Sequence, residues 1–139
     1  MDQGGFPGHL PLGEDTYTAA KLLLSGQSLR YQATAEVYHS HNYNGLQDFQ
    51  RMFDTGVFHA QNPWLLQNFG KAEGEGAKLV RSQWQSLQQQ PHFMQGLLQW
   101  LSTNALKLLG YKLGRAYHWL PKALVKKFAM NKVFWQPHK

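Results

Sequence analysis

Two short segments near the start of the chain carry side chains that can do chemistry. Glu14 and Asp15 are adjacent carboxylates, and His39 and His41 are imidazoles two positions apart. Carboxylates act as general bases, and carboxylates together with imidazoles bind metal ions. If the two segments meet in space, they predict a proton-transfer site or a metal site.

Each segment also has a simpler structural interpretation. An acidic pair stabilises the N-terminus of a helix, where the dipole favours negative charge, by a few tenths to about one kcal/mol. Two histidines can end a strand as hydrogen-bonded or water-exposed imidazoles, and a structural zinc site takes about four ligands. A hard divalent cation bound by carboxylates and one imidazole, with water or phosphate as further ligands, fits these residue types better.

The elements that must position these side chains are a helix and a strand. The sequence predicts a helix over residues 15–25, with the acids at its N-terminal turn and Gly26 after its end. It predicts a strand over residues 29–40, because small or apolar side chains alternate with polar ones. A helix of about twelve residues rises roughly 18 Å, and a strand of about six residues returns a similar distance. The spacing of 24 residues therefore predicts that His39 lies level with Asp15.

The rest of the chain shows apolar residues at helical spacing, separated by prolines. Helices are predicted over residues 46–60, 63–70, 77–90, 93–120 and 121–130. A single strand cannot form a sheet by itself, because its edges stay unpaired. We therefore expect the other strands of the sheet to come from the N-terminal side, outside this sequence.

Composition limits the class of protein. The chain has 139 residues, of which 42% are hydrophobic and 14% aromatic, which is enough for one domain with a modest core. It has no cysteine, which excludes disulfides and thiolate zinc sites. Neither a secretory signal nor a run of about 18 apolar residues is visible, so we expect a cytoplasmic protein.

Charge is divided unevenly along the chain. Residues 1–75 contain all eight acids and sum to −4, whereas residues 76–139 contain ten lysines or arginines and no acid. This asymmetry favours an anionic partner: phosphate-rich lipid, nucleic acid or a nucleotide sugar, the alternative being a basic face exposed only to water. Residues 93–139 combine eight basic residues with aromatic ones, as membrane-surface helices do, although their apolar residues could instead pack on a catalytic domain. No nucleic-acid-binding module is recognisable, so we expect no nucleic-acid partner.

Several short motifs occur together along the chain. The motifs are GGFP (4–7), LGEDTY (12–17), AEVYHSHNY (35–43), FDTGVFH (53–59), FGKAEGEG (69–76) and LGYKLG (109–114). In order and spacing they resemble the C-terminal half of family 2 glycosyltransferases, with bacterial rhamnosyltransferases as the most similar group. The resemblance extends over nearly the whole chain.

The resemblance implies roles for the acid pair and the histidines. In this family an acidic pair carries the catalytic base, so Asp15 would remove the proton of the acceptor hydroxyl and Glu14 would help to orient the acceptor. The resemblance implies inversion at the anomeric carbon by direct displacement. It also implies that His39, with His41 as the second choice, completes a site for Mg²⁺ or Mn²⁺ at the donor diphosphate in the complete enzyme.

The resemblance also implies an α/β fold class. Residues 1–45 would be the C-terminal part of a GT-A nucleotide-sugar transferase domain, and residues 46–139 a basic, mostly α-helical extension. The nucleotide-binding half with its Asp-x-Asp motif is absent from the sequence, so we expect the isolated chain to be inactive. The implied substrates are a nucleotide sugar, dTDP-rhamnose, and a glycan or lipid-linked acceptor at the inner face of the cell membrane. The alternative is a non-enzymatic basic helical protein that binds a membrane surface or another protein and retains a catalytic remnant.

Overall fold

The structure, a computed structural model, describes residues 5–36, 43–70, 72–89 and 91–136. Within these ranges every regular element is helical. The elements are α1 (Glu14–Leu24), α2 (Gly45–Gln61), α3 (Pro63–Phe69), α4 (Ala72–Leu87), α5 (Phe93–Arg115), a short 3-10 helix (Tyr117–Trp119) and α6 (Lys122–Phe128). None of the described helices has the length and apolar character needed to span a membrane.

The expected α/β fold class is wrong, because the described residues contain no strand. Residues 29–36 of the predicted strand are irregular, and Leu29 and Tyr31 are 53% and 90% exposed. A strand needs a neighbour to pair its backbone groups and a core to bury its apolar face. This segment finds neither within the described ranges, so the alternating pattern alone does not produce a strand. Residues 37–40 of the prediction lie outside the described residues.

The predicted helices are confirmed in position, with differences at their ends. α1, α2 and α3 begin and end within one residue of the predicted bounds, whereas α4 begins five residues earlier than predicted. The helix predicted over residues 93–120 ends at Arg115, and the chain continues as a 3-10 helix. α6 begins directly after Pro121, whose ring fixes φ near the helical value. The division of the chain at residue 45 stays a prediction.

Helix α2 carries a large part of the buried core. At its start the Asn44 side chain accepts a hydrogen bond from the Gln47 amide, and the Gln47 side chain accepts one from the Asn44 amide. This capping box satisfies two backbone donors. Phe53, Val57 and Phe58 are at most 2% exposed, at the spacing of one helical face. Packing of this face therefore fixes the orientation of α2 and of any polar residue beside it.

Two hydrophobic clusters hold the ends of the described chain against α2. One joins α2 and α3 to α1 and the loop before it, through Leu10, Ala20, Phe58 and Leu65. The other joins α2 to α6 and the residue that follows it, through Phe53, Val57, Val125 and Ala129. Because both segments pack on α2, the loop before α1 meets the segment after α6, where the Asn131 side chain bonds to the Pro11 carbonyl.

Helices α2 and α5 approach each other at glycines. Gly110 and Gly114 lie one turn apart on α5; from α2, the Phe49 carbonyl faces Gly110, and Gly56 faces Gly114. A Cβ atom added to Gly114 would overlap the Phe53 carbonyl oxygen, and one added to Gly56 would overlap that of Tyr111. Only glycine leaves room for this contact of backbone against backbone, so these residues set the separation of the two helices.

Candidate functional site

The acid pair begins α1 behind a glycine in the left-handed conformation. Gly13 has a φ of 81°, and a Cβ atom there would lie 3.0 Å from two ring carbons of Phe58. The Gly13 backbone therefore packs directly against the Phe58 ring, which is buried on α2. This contact fixes the first turn of α1, with Glu14 and Asp15, relative to α2.

The two carboxylates differ in exposure. Glu14 is half-buried, whereas Asp15 is exposed. Oδ1 of Asp15 accepts a hydrogen bond from the Thr16 amide at 2.7 Å, and the Thr16 hydroxyl lies 3.4 Å from the same oxygen. The Asp15 carboxylate is therefore accessible from solution, and one of its oxygens is held by the next residue.

Both carboxylates line a cleft with a volume of about 610 Å³. Its walls come from the loop and first turn of α1, from the middle of α2, and from the segment after α6. The lining residues are Phe6, Pro11, Leu12, Gly13, Glu14, Asp15, Thr16, Arg51, Asp54, Met130 and Asn131. The volume lies within the range of roughly 300 to 1,000 Å³ that is usual for small-molecule sites. Polar side chains from three distant parts of the chain therefore converge on one cleft.

Asp54 is a buried carboxyl group in the wall of this cleft, only 1% exposed. Its Oδ2 accepts hydrogen bonds from the amides of Met130 at 3.0 Å and Asn131 at 2.8 Å. Burial raises the pKa of Asp54 from 3.8 to about 6, although the two amide hydrogen bonds oppose the shift. At neutral pH the group is therefore mostly ionised, and it carries a buried negative charge in the wall of the cleft that the acid pair also lines.

Asp54 lies in the FDTGVFH motif (53–59), and the sequence predicted no role for it in the site. The signal that could have found it is its position, three and four residues before the buried Val57 and Phe58. This spacing puts an acid on the apolar face of a helix. A buried acid there requires hydrogen-bond donors, and these come from residues 130 and 131, which the sequence does not connect to α2.

Arg51 places a positive charge at the same cleft, one helical turn before Asp54. The Arg51 side chain is exposed, its Nη1 donates to the Tyr43 hydroxyl at 2.9 Å, and its guanidinium lies 5.4 Å from the centre of the Tyr43 ring. The cleft therefore offers carboxylate acceptors and guanidinium donors together. This combination suits a ligand rich in hydroxyl groups.

Comparisons with known proteins give this cleft a context. O-antigen chain rhamnosyltransferase WbaN of Salmonella anatum is 46% identical over 132 residues, which are 95% of this chain and 41% of that protein. O-antigen chain rhamnosyltransferase RfbN of Salmonella typhimurium (strain LT2) is 45% identical over 131 residues, 94% of this chain and 41% of that protein. The chain is related to rhamnosyltransferases. It spans about 41% of the length of these two relatives.

The expected relationship to rhamnosyltransferases is confirmed by these identities, and the match covers only part of each enzyme. No family model matches the chain, and no solved structure matches it. The assignment to family 2 and to the GT-A type therefore stays a prediction.

The metal site predicted from the histidines stays a prediction as well. His39 and His41 lie outside the described residues. In the part of the chain that the structure describes, no group of three or more acids or histidines could hold a metal ion. Glu14, Asp15 and Asp54 share the cleft without forming such a group.

Proposed function

We propose that this chain is the acceptor-side part of an inverting family 2 glycosyltransferase. The complete enzyme would transfer L-rhamnose from dTDP-rhamnose to a glycan or lipid-linked acceptor. The observation that carries the proposal is the 46% identity to an O-antigen chain rhamnosyltransferase over 95% of the chain. The cleft supports it, because a hydroxyl-rich acceptor needs the hydrogen-bond acceptors and donors that the acid pair and Arg51 bring to one place.

Asp15 is the general base in this proposal. The acceptor hydroxyl oxygen bonds to the anomeric carbon of the donor while the bond from that carbon to the diphosphate oxygen breaks, and the configuration inverts. The hydroxyl proton moves to the Asp15 carboxylate, and the leaving nucleotide diphosphate takes the electron pair. A carboxylate is basic enough for this task, because the hydroxyl loses its proton only as the new bond forms. Glu14 is half-buried beside it and would orient the acceptor through a second hydroxyl.

The donor half of the reaction depends on groups outside the described cleft. Mg²⁺ or Mn²⁺, when bound in the complete enzyme, would neutralise charge on the leaving diphosphate. From this chain His39 is the proposed ligand and His41 the alternative. The donor-binding residues would lie in the part of the relatives that this chain does not span, so we propose that the isolated chain is inactive.

A chimera tests the base assignment. In it, this chain replaces the matching segment of the Salmonella anatum relative, and rhamnose transfer and donor binding are measured separately. Asp15→Asn should lower kcat by about 10²–10⁴-fold, because the amide cannot accept the proton, and should leave donor binding unchanged. Asp48→Asn is the control, because it also removes one negative charge, but Asp48 lies on α2 and does not line the cleft. Near-normal transfer by the Asp15 variant would overturn the assignment.

We further propose that the protein is cytoplasmic and attaches to the anionic inner face of the cell membrane. The support is a basic and apolar surface, here called the 119–133 surface, whose exposed residues include Trp119, Lys122, Leu124, Lys126, Lys127, Lys132 and Val133. Trp119 and Val133 are 81% and 71% exposed.

The same surface favours the second candidate function, a non-enzymatic membrane-surface protein. A chimera without transfer activity, combined with vesicle binding by the chain, would favour that candidate.

A further inference from the structure

We propose that Asp54 is a positioning residue that holds the Glu14–Asp15 pair in place through Asn131. This role rests on the proposed function, because it concerns the acid pair as the site of proton transfer. Asp54 itself lies on α2, and its hydrogen bonds go to the segment after α6 rather than to α1. Its effect on the acid pair is therefore indirect and passes through a chain of contacts.

The first contact joins α2 to the segment after α6. One oxygen of Asp54 accepts from two consecutive amides, those of Met130 and Asn131, at 3.0 and 2.8 Å. A carboxylate makes stronger hydrogen bonds to backbone N–H groups than a neutral acceptor does. The backbone at residues 130 and 131 is therefore fixed to a helix whose own position is set by the core.

The second contact joins that segment to the loop before α1. The Asn131 side chain donates from Nδ2 to the Pro11 carbonyl at 2.9 Å, and its Oδ1 accepts from the Phe134 amide at 3.3 Å. Pro11 is buried and lies two residues before Gly13, the residue that precedes α1. The Gly13 carbonyl in turn accepts a hydrogen bond from the Tyr17 amide at 2.8 Å, in the first turn of α1, which carries the acid pair.

The two amides that Asp54 binds explain why an acid is found at this buried position, where ionisation costs free energy. Burial of a carboxylate is unfavourable, and desolvation of Asp54 outweighs its two hydrogen bonds in setting its pKa. An apolar residue would pack on α2 at lower cost, but it would leave two donors of the segment after α6 without an acceptor. The acid therefore holds the segment after α6 in the wall of the cleft, and the fold is less stable for it.

Amide hydrogen exchange in the 139-residue chain tests the order of the contacts. In Asp54→Ala, the Met130 and Asn131 amides should exchange about tenfold faster or more, and the Tyr17 amide should also exchange faster. Asp54→Asn should restore much of the protection, because its side-chain oxygen still accepts. Asp48→Ala is the matched control on the same helix and should leave all three amides unchanged, since Asp48 pairs with Lys107 instead.

A second variant keeps the test decisive if Asp54→Ala fails to fold. Asn131→Ala changes a half-buried side chain, removes the bond to Pro11 and retains both amides that Asp54 binds. It should speed exchange at Tyr17 and leave the Met130 amide protected. Unchanged Tyr17 exchange in Asn131→Ala, or in a folded Asp54→Ala, would overturn the proposal. The measurement needs no turnover, so its failure is distinct from inactivity of the chimera, which would count against the proposed function alone.

Discussion

At the scale of single residues, the ionisation of Asp54 links the cleft to the stability of the fold. Its pKa is raised to about 6 in the folded chain, with burial as the main cause, and is 3.8 for an unperturbed group. Between these values the folded state binds more protons than the unfolded state. The free energy of unfolding therefore falls as pH rises through this window and levels off only near pH 7, about one unit above the folded-state pKa.

Replacement of Asp54 by asparagine should remove this dependence. Relative to Asp54→Asn, the wild-type chain should lose roughly 2–3 kcal/mol of unfolding free energy between about pH 4 and about pH 7, because only the wild type must keep a buried charge at the higher pH. Urea denaturation across that range measures the difference. Asp48→Asn is the control, because it leaves Asp54 in place and should keep the pH dependence that Asp54 causes. A difference between wild type and Asp54→Asn that does not change with pH would contradict the raised pKa.

Single residues also show how far the sequence predicts the site. The residue types identified the acid pair, and the sequence on either side of it predicted its place at the start of a helix. Asp54 had no visible partner, because the amides that it binds lie 76 and 77 positions further along the chain. Contacts of that range depend on tertiary packing, which a one-dimensional pattern does not record.

At the scale of elements, the crossing of α2 and α5 depends on the absence of side chains at three glycines. Gly114→Ala should force the helices apart, because the added methyl group would overlap the Phe53 carbonyl, and should cost about 3 kcal/mol of unfolding free energy. Gly74→Ala is the matched control, since Gly74 also lies within a helix but has nothing within 4 Å of its added Cβ atom.

The two substitutions should change stability in opposite directions. Alanine is the better helix former by about 0.5–1 kcal/mol, so Gly74→Ala should stabilise the chain by that amount while Gly114→Ala destabilises it. Thermal or urea denaturation of both variants gives the comparison. Equal small effects at both positions would show that the helices do not approach as closely as described.

The local sequence pattern determines the helices, but it did not determine the predicted strand. α1, α2 and α3 follow from apolar periodicity, capping residues and prolines, all of which act within a few residues. The predicted strand failed because a strand is stable only beside another strand, and residues 29–36 have no such neighbour within the described ranges. Helices satisfy their own backbone groups, and this is why the sequence predicted them better.

At the scale of the whole molecule, the separation of charge along the chain becomes a property of its surface. The sequence predicted ten basic residues without an acid after residue 75, but not which of them are exposed in the folded chain. In the described residues, Lys126 and Lys127 are exposed on α6, near Trp119 and Val133 in sequence. The 119–133 surface therefore combines positive charge with apolar side chains, the two features that favour an anionic membrane surface.

Vesicle binding tests that proposal for the whole chain. Each lysine near an anionic surface contributes about 1 kcal/mol, so the double variant Lys126→Gln/Lys127→Gln should bind anionic vesicles roughly 30-fold more weakly than the wild type. The control pair, Lys21→Gln/Arg30→Gln, changes the net charge by the same amount in the acidic part of the chain and should have little effect. Co-sedimentation with vesicles of increasing anionic lipid content, at low and at high salt, measures both variants. Because the attraction is electrostatic, wild-type binding should weaken as salt screens it. An equal loss in both pairs would show that only net charge matters, and binding indifferent to lipid charge and salt would rule out the proposed attachment.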